Sequence, residues 1–137
     1  MIFITGGAFQ GKQAYARALS GLEEEAFLRR TADGTVLRKE GESGSTAKAL
    51  AGKTILVNYQ GFVRQALERG EDVLDMTRQV LALEPDLVTM DEVGCGIIPL
   101  EKKERQYRDL AGAAGQMLAA SAREVYRVVA GIPVRIR

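Results

Sequence analysis

The residues best suited to chemistry lie near the start of the chain. Gly6-Gly7-Ala8-Phe9-Gln10-Gly11-Lys12-Gln13 has the G-x-x-x-x-G-K spacing of a phosphate loop. Glycines let the backbone curl so that successive N–H groups point at one anion. A helix starting near Lys12 turns its positive end toward the same anion. The Lys12 side chain is long enough to reach the β- and γ-phosphates of ATP or GTP. The competing reading is a glycine-rich turn followed by a surface lysine. Gln13 stands where a Ser or Thr hydroxyl would hold Mg²⁺. Its amide oxygen is still a candidate ligand, on a longer side chain that loses more entropy when fixed.

Asp91 and Glu92 form a second candidate group, as ligands of Mg²⁺ or its waters or as acceptors of a substrate hydroxyl proton. The alternative for both is a helix cap or a solvated pair. Arg105 and Arg108, three residues apart, would share a helix face and could grip a phosphate together. Weighed equally, they belong to a solvated helix start, the usual fate of a run such as Glu101 to Arg108. The chain has no histidine, which excludes histidine general bases, metal ligands, triads and phosphohistidine intermediates. Cys95, the one cysteine, has no histidine to activate it and no partner for a disulfide, so it reads as a small residue in a tight loop.

Elements must bring these groups together. Residues 1–5 read as a buried strand and 12–19 as a helix stopped by Gly21. Residues 22–30 suit a charged helix or an irregular strand, and the Ala32-Asp33-Gly34 turn would let 27–30 and 35–39 pair as a hairpin. A glycine- and serine-rich loop follows over 40–46, then a short helix over 47–50 capped by Ser45 or Thr46. A strand is expected over 54–57, helices over 61–69 and 72–83, and a strand over 86–90. The clearest helix spans 101–122, and closing strands follow over 125–130 and 134–136. Strands alternating with helices predict an α/β fold with a mostly parallel sheet. In such a sheet, ligands bind beyond the carboxyl ends of the strands, where the glycine loop, Asn58 to Gln60, and Asp91 with Glu92 would meet. The strand over 54–57 ends without a carboxylate, which weighs against an active enzyme.

At 137 residues a single domain over 1–137 is the expectation. The net charge of +1, with 19 Lys and Arg against 18 Asp and Glu, predicts no nucleic-acid partner. The apolar start, Met1 to Ile4, is too short for a signal peptide or a membrane span. A cytoplasmic location is therefore expected.

Several segments resemble one family. Asp91-Glu-Val-Gly-Cys-Gly-Ile-Ile-Pro99 is similar to the N-E-V-G-x-G-I-V-P segment of the bifunctional adenosylcobinamide kinase/adenosylcobinamide-phosphate guanylyltransferases of cobalamin synthesis. Arg105-Gln-Tyr-Arg-Asp-Leu-Ala-Gly112 resembles that family's R-x-F-R-D-x-x-G, and the opening loop resembles its G-G-A-R-S-G-K-S. The resemblance covers 1–20 and 86–137 and is poor over 21–85. It implies a P-loop NTPase-like fold, commonly assembled as a homo-trimer, with GTP or ATP bound through Lys12 and the loop amides. It also implies two activities: γ-phosphoryl transfer to the aminopropanol hydroxyl of adenosylcobinamide, and GMP transfer through a guanylylated histidine. The second cannot run on a chain without histidine. Gln13, the strand end without a carboxylate, Asp91 in place of Asn, and a shortened middle are further departures. Two readings follow: a reduced kinase that uses Mg²⁺, or a catalytically decayed paralogue acting as a nucleotide- or cobinamide-binding module or partner subunit.

Overall fold

The computed structural model describes residues 1–36, 38 and 44–137. The chain order is β1 (Ile2–Gly6), α1 (Lys12–Ser20), α2 (Glu24–Arg30), β2 (Thr31–Asp33), α3 (Thr46–Ala49), β3 (Ile55–Val57), α4 (Tyr59–Glu68), α5 (Val73–Ala82), β4 (Leu87–Asp91), α6 (Lys102–Ser121), β5 (Glu124–Val129) and β6 (Ile132–Arg135). The strands form one sheet in the order β2-β3-β4-β1-β5-β6. The first five are mutually parallel, and β6 pairs antiparallel with β5. This is the expected α/β arrangement with its closing C-terminal strand pair.

Alternation along the strands sends side chains into two cores. Phe3, Leu56, Val88, Met90 and Val125 pack under α3 to α6 with Tyr59, Val63, Val80 and Leu118. Ile4, Ile55, Val57, Leu87 and Val128 pack on the other face, with Ala16 of α1 and Phe27 of α2. Strands covered on both faces explain the unbroken apolar runs at 2–4 and 55–57.

The expected hairpin does not form. Residues 24–30 are helix, and β2 runs parallel to β3 with Asp33 beside Val57. The cause is electrostatic and apolar together. Glu24 and Glu25 sit in the first turn, Arg29 and Arg30 in the last, and Phe27 is buried. Positions 37 and 39 of that hairpin, and 40–43 of the expected loop, lie outside the described residues. Ser45 does cap α3: its hydroxyl accepts from the Lys48 N–H at 3.2 Å. The other elements start and stop within about two residues of expectation.

Two placements matter for the site. Strand β1 lies between β4 and β5, with Gly6 in register with Asp91. The turn after β2 is seated on the start of α4. Gly34 donates to the Val57 carbonyl at 2.9 Å, and a Cβ on Gly61 would fall 1.9 Å from the Gly34 oxygen. Only glycine permits that approach. Buried Gln65 secures the same turn by donating to the carbonyls of Gly34 and Val36, both at 3.0 Å.

Candidate functional site

The loop from Gly6 to Gly11 links the end of β1 to the start of α1. Gly6 has φ +145°, and a Cβ there would lie 2.4 Å from the Val128 oxygen, so the strand turns into the loop only with glycine. Gly11, φ +93°, begins α1 without a side-chain cap. Lys12, Gln13 and Ala14 of the first turn line the adjacent cavity, and no side chain caps that turn. Phe9 stands fully exposed at the loop tip with φ +58°. Gln10 ties the loop to the β5–β6 turn. Its amide oxygen accepts from Ala130 N–H at 2.6 Å, and its carbonyl accepts from Gly131 N–H at 2.9 Å.

A cavity of about 400 Å³ opens against this loop, lined by Ala8 to Ala14, Thr35, Asn58, Gln60 and Asp91. Lys12 is 5% exposed. Its ammonium lies 2.6 Å from an Asp91 carboxylate oxygen and donates to the Gly7 carbonyl at 2.6 Å. A lysine so buried needs such partners to offset its lost hydration. Asp91 N–H donates to the Gln60 amide oxygen at 3.0 Å, and Tyr107 donates its hydroxyl proton to the Gln60 carbonyl at 3.2 Å. Burial pushes the Tyr107 phenol up, against the pull of the Arg64 guanidinium stacked 3.8 Å from its ring centre.

Glu92, Arg105 and Arg108 do not line this cavity. Glu92 accepts two hydrogen bonds from Arg127 of β5, each 2.8 Å, a fork that holds it toward the other edge. Arg105 donates to the carbonyls of Pro99 and Leu100, closing the loop before α6. Arg108 pairs with Asp109, and its aliphatic stem packs against Gly94. These three therefore shape the acidic loop, because local backbone and charge partners claim them. Cys95 is exposed there.

Thr35 on the cavity wall and Asp33 behind it were not among the expected site residues, whereas Asn58 was. Asp33 ends β2, and its Oδ1 accepts from Thr35 N–H at 2.9 Å, the Thr35 hydroxyl at 2.8 Å and the Asn58 amide at 2.9 Å. Asn58, in the left-handed region at φ +56°, donates its N–H to the Thr89 hydroxyl at 3.0 Å. The only signal in the sequence was Asp33 inside a turn, which carries no information about the strand lying beside it. Among the described residues, no three acidic, cysteine or histidine side chains cluster to hold a metal by themselves. A hard cation here would take the Asp91 carboxylate and neutral oxygens and complete its shell with water and ligand phosphates, as Mg²⁺ commonly does.

Comparison with known proteins adds the lineage. The CobU profile, described as cobinamide kinase / cobinamide phosphate guanyltransferase, matches residues 46–136, about two thirds of the chain. The chain belongs to the CobU family. Two relatives, each named bifunctional adenosylcobalamin biosynthesis protein CobU, come from Escherichia coli strain K12 and Salmonella typhimurium strain LT2. Each is 53% identical over 51 residues, which span 37% of this chain and 28% of the relative. The CobU match runs from α3 through β6. It includes Asn58, Gln60 and Asp91 and stops short of the glycine loop and Asp33. The cavity therefore joins a segment matched to CobU with an N-terminal segment outside the match. No described helix is long and apolar enough to cross a membrane.

Proposed function

We propose that this chain is a P-loop kinase of cobalamin biosynthesis that binds ATP or GTP and transfers the γ-phosphoryl group to the aminopropanol hydroxyl of adenosylcobinamide. The carrying observation is the buried Lys12, 2.6 Å from Asp91, at the mouth of a glycine loop that opens on a cavity. In this reading Gly6, Gly7, Ala8, Phe9, Gln10, Gly11 and Gln13 place their backbone around the phosphates, and Lys12 exchanges Asp91 for them. The freed Asp91 carboxylate accepts the acceptor hydroxyl proton as its oxygen bonds to the γ-phosphorus and the bridging P–O bond to the diphosphate breaks. Mg²⁺ carried in with the nucleotide would neutralise phosphate charge. Of the candidates Gln13, Asp91 and Glu92, the first two border the cavity.

Guanylyl transfer through histidine is outside this chain's inventory. The same reading carries a single nucleotide-binding domain, a cytoplasmic location and a homo-trimer, the last testable by sedimentation. The deciding assay follows phosphoryl transfer from ATP and GTP to adenosylcobinamide. Wild-type protein should form product, and Lys12→Ala should be slowed about 100-fold or more, as when a transition-state charge donor is removed. Equal turnover by the two proteins, or none by wild type, sinks the kinase.

A second reading is a binding module without transferase activity. Gln13 in place of a hydroxyl and Asn58 at the end of β3 favour it. Calorimetric binding of nucleotide without turnover would select it.

A further inference from the structure

Three hydrogen-bond donors converge on one oxygen of Asp33, and the two residues that carry them, Thr35 and Asn58, line the cavity beside the glycine loop. This arrangement determines what those two can offer a ligand. The Thr35 hydroxyl has its proton committed to Asp33, so only its lone pairs remain. One N–H of the Asn58 amide is on Asp33, which turns its carbonyl oxygen away from that carboxylate. Each side chain thus presents an acceptor oxygen, with the Asp33 carboxylate directly behind it. Acceptor oxygens backed by a carboxylate suit a hard cation or its bound waters and repel bare phosphate.

We propose that Thr35 Oγ1 and Asn58 Oδ1, oriented by Asp33, form a divalent-cation subsite that serves the nucleotide held by the glycine loop. It stands in for two groups missing elsewhere: the hydroxyl that Gln13 lacks and the carboxylate that β3 lacks. Asp33 is a positioning residue, acting through Thr35 and Asn58. Its turn is seated by Gly34 against Gly61 and by Gln65 on the carbonyls of Gly34 and Val36. The inference rests on the nucleotide-binding reading and adds to it the place where the cation is held.

The test is titration calorimetry of ATP and GTP with and without Mg²⁺, on wild type, Thr35→Val, Thr35→Ser, Asp33→Asn and the exchange Asp33→Asn/Asn58→Asp, with unfolding midpoints measured in parallel. Expected is a Mg²⁺-enhanced affinity in wild type that falls about 10-fold in Thr35→Val and Asp33→Asn, at unchanged metal-free affinity and midpoint. Thr35→Ser, which keeps the hydroxyl, and the exchange, which returns a carboxylate to the pair, should recover most of the enhancement. If wild type binds nucleotide but Thr35→Val and Asp33→Asn keep the full Mg²⁺ effect, or if there is no Mg²⁺ effect, the subsite is wrong and nucleotide binding stands. Loss of metal-free affinity in step with the midpoint makes Asp33 merely a turn fastener and also overturns the subsite. If wild type binds no nucleotide, both readings fall.

Discussion

Gly6 shows how much of the glycine loop is decided by single atoms. Its spacing to Lys12 is visible in the sequence. Its necessity comes from a neighbouring strand more than a hundred residues away, since a Cβ would meet the Val128 carbonyl oxygen at 2.4 Å with φ at +145°. Gly6→Ala should lower stability by about 2–4 kcal/mol, combining steric overlap with backbone strain. Denaturant midpoints check this, and a midpoint equal to wild type would contradict it. Lys12 is similar. The sequence marks it as the phosphate-reaching residue, but not that Asp91 meets it at 2.6 Å. Arg105 and Arg108 mark the limit of such reading. Their i, i+3 spacing is real, yet the nearest backbone carbonyls and Asp109 hold both guanidinium groups. Spacing along a helix says which residues share a face. It does not say what that face meets.

At the scale of elements, the site depends on joints. The β5–β6 turn is fastened to the glycine loop through the Gln10 side chain. Gln10→Ala removes the 2.6 Å bond to Ala130 N–H and should weaken nucleotide binding about three- to tenfold, the loss of one net hydrogen bond in a pre-shaped loop. Calorimetry measures this, and an unchanged dissociation constant would show that the turn does not hold the loop. A second joint links α4 to α6. The Arg64 guanidinium donates to both oxygens of Glu104, at 2.9 and 3.2 Å, while stacked on Tyr107. Those hydrogen bonds and the Arg64 charge hold the Glu104 carboxyl below its usual range. A depressed carboxylate adds stability above its unfolded pKa, lost as pH falls through the folded value. Arg64→Ala should raise the Glu104 titration midpoint by NMR and flatten the acid limb of the stability curve. Helices α4 and α6 were legible from periodicity, because their apolar stripes are local. Strand β2 was not. Three residues, Thr31 to Asp33, become strand only because β3 lies beside them, and no local pattern encodes that neighbour.

For the whole molecule, alkaline pH reports on packing. Burial pushes the Tyr59 phenol well above its usual range, and Tyr107 is raised by burial as well. Tyr126, donating to Glu124, is pushed up to about 12. The unfolded chain loses these protons near pH 10. Between that value and the folded pKa values the native state holds more protons, so stability must fall as pH rises. Urea midpoints from pH 9 to 11 should decline in wild type and decline less in Tyr59→Phe. Identical slopes would refute that account of Tyr59.

By itself the sequence determined the α/β alternation, the mostly parallel sheet, the glycine loop with Lys12, and the exclusion of histidine chemistry. These follow from composition, short-range periodicity and backbone-permissive residues, all local properties. Only the tertiary structure decided which groups share the cavity. Strand order placed Asp91 in register with Gly6 and brought Asp33 to the end of β3. It also turned Glu92 toward Arg127 and away from Lys12. Such pairings join residues far apart in the chain through the adjacency of strands, which is settled by burying both faces of the sheet's central strands at once.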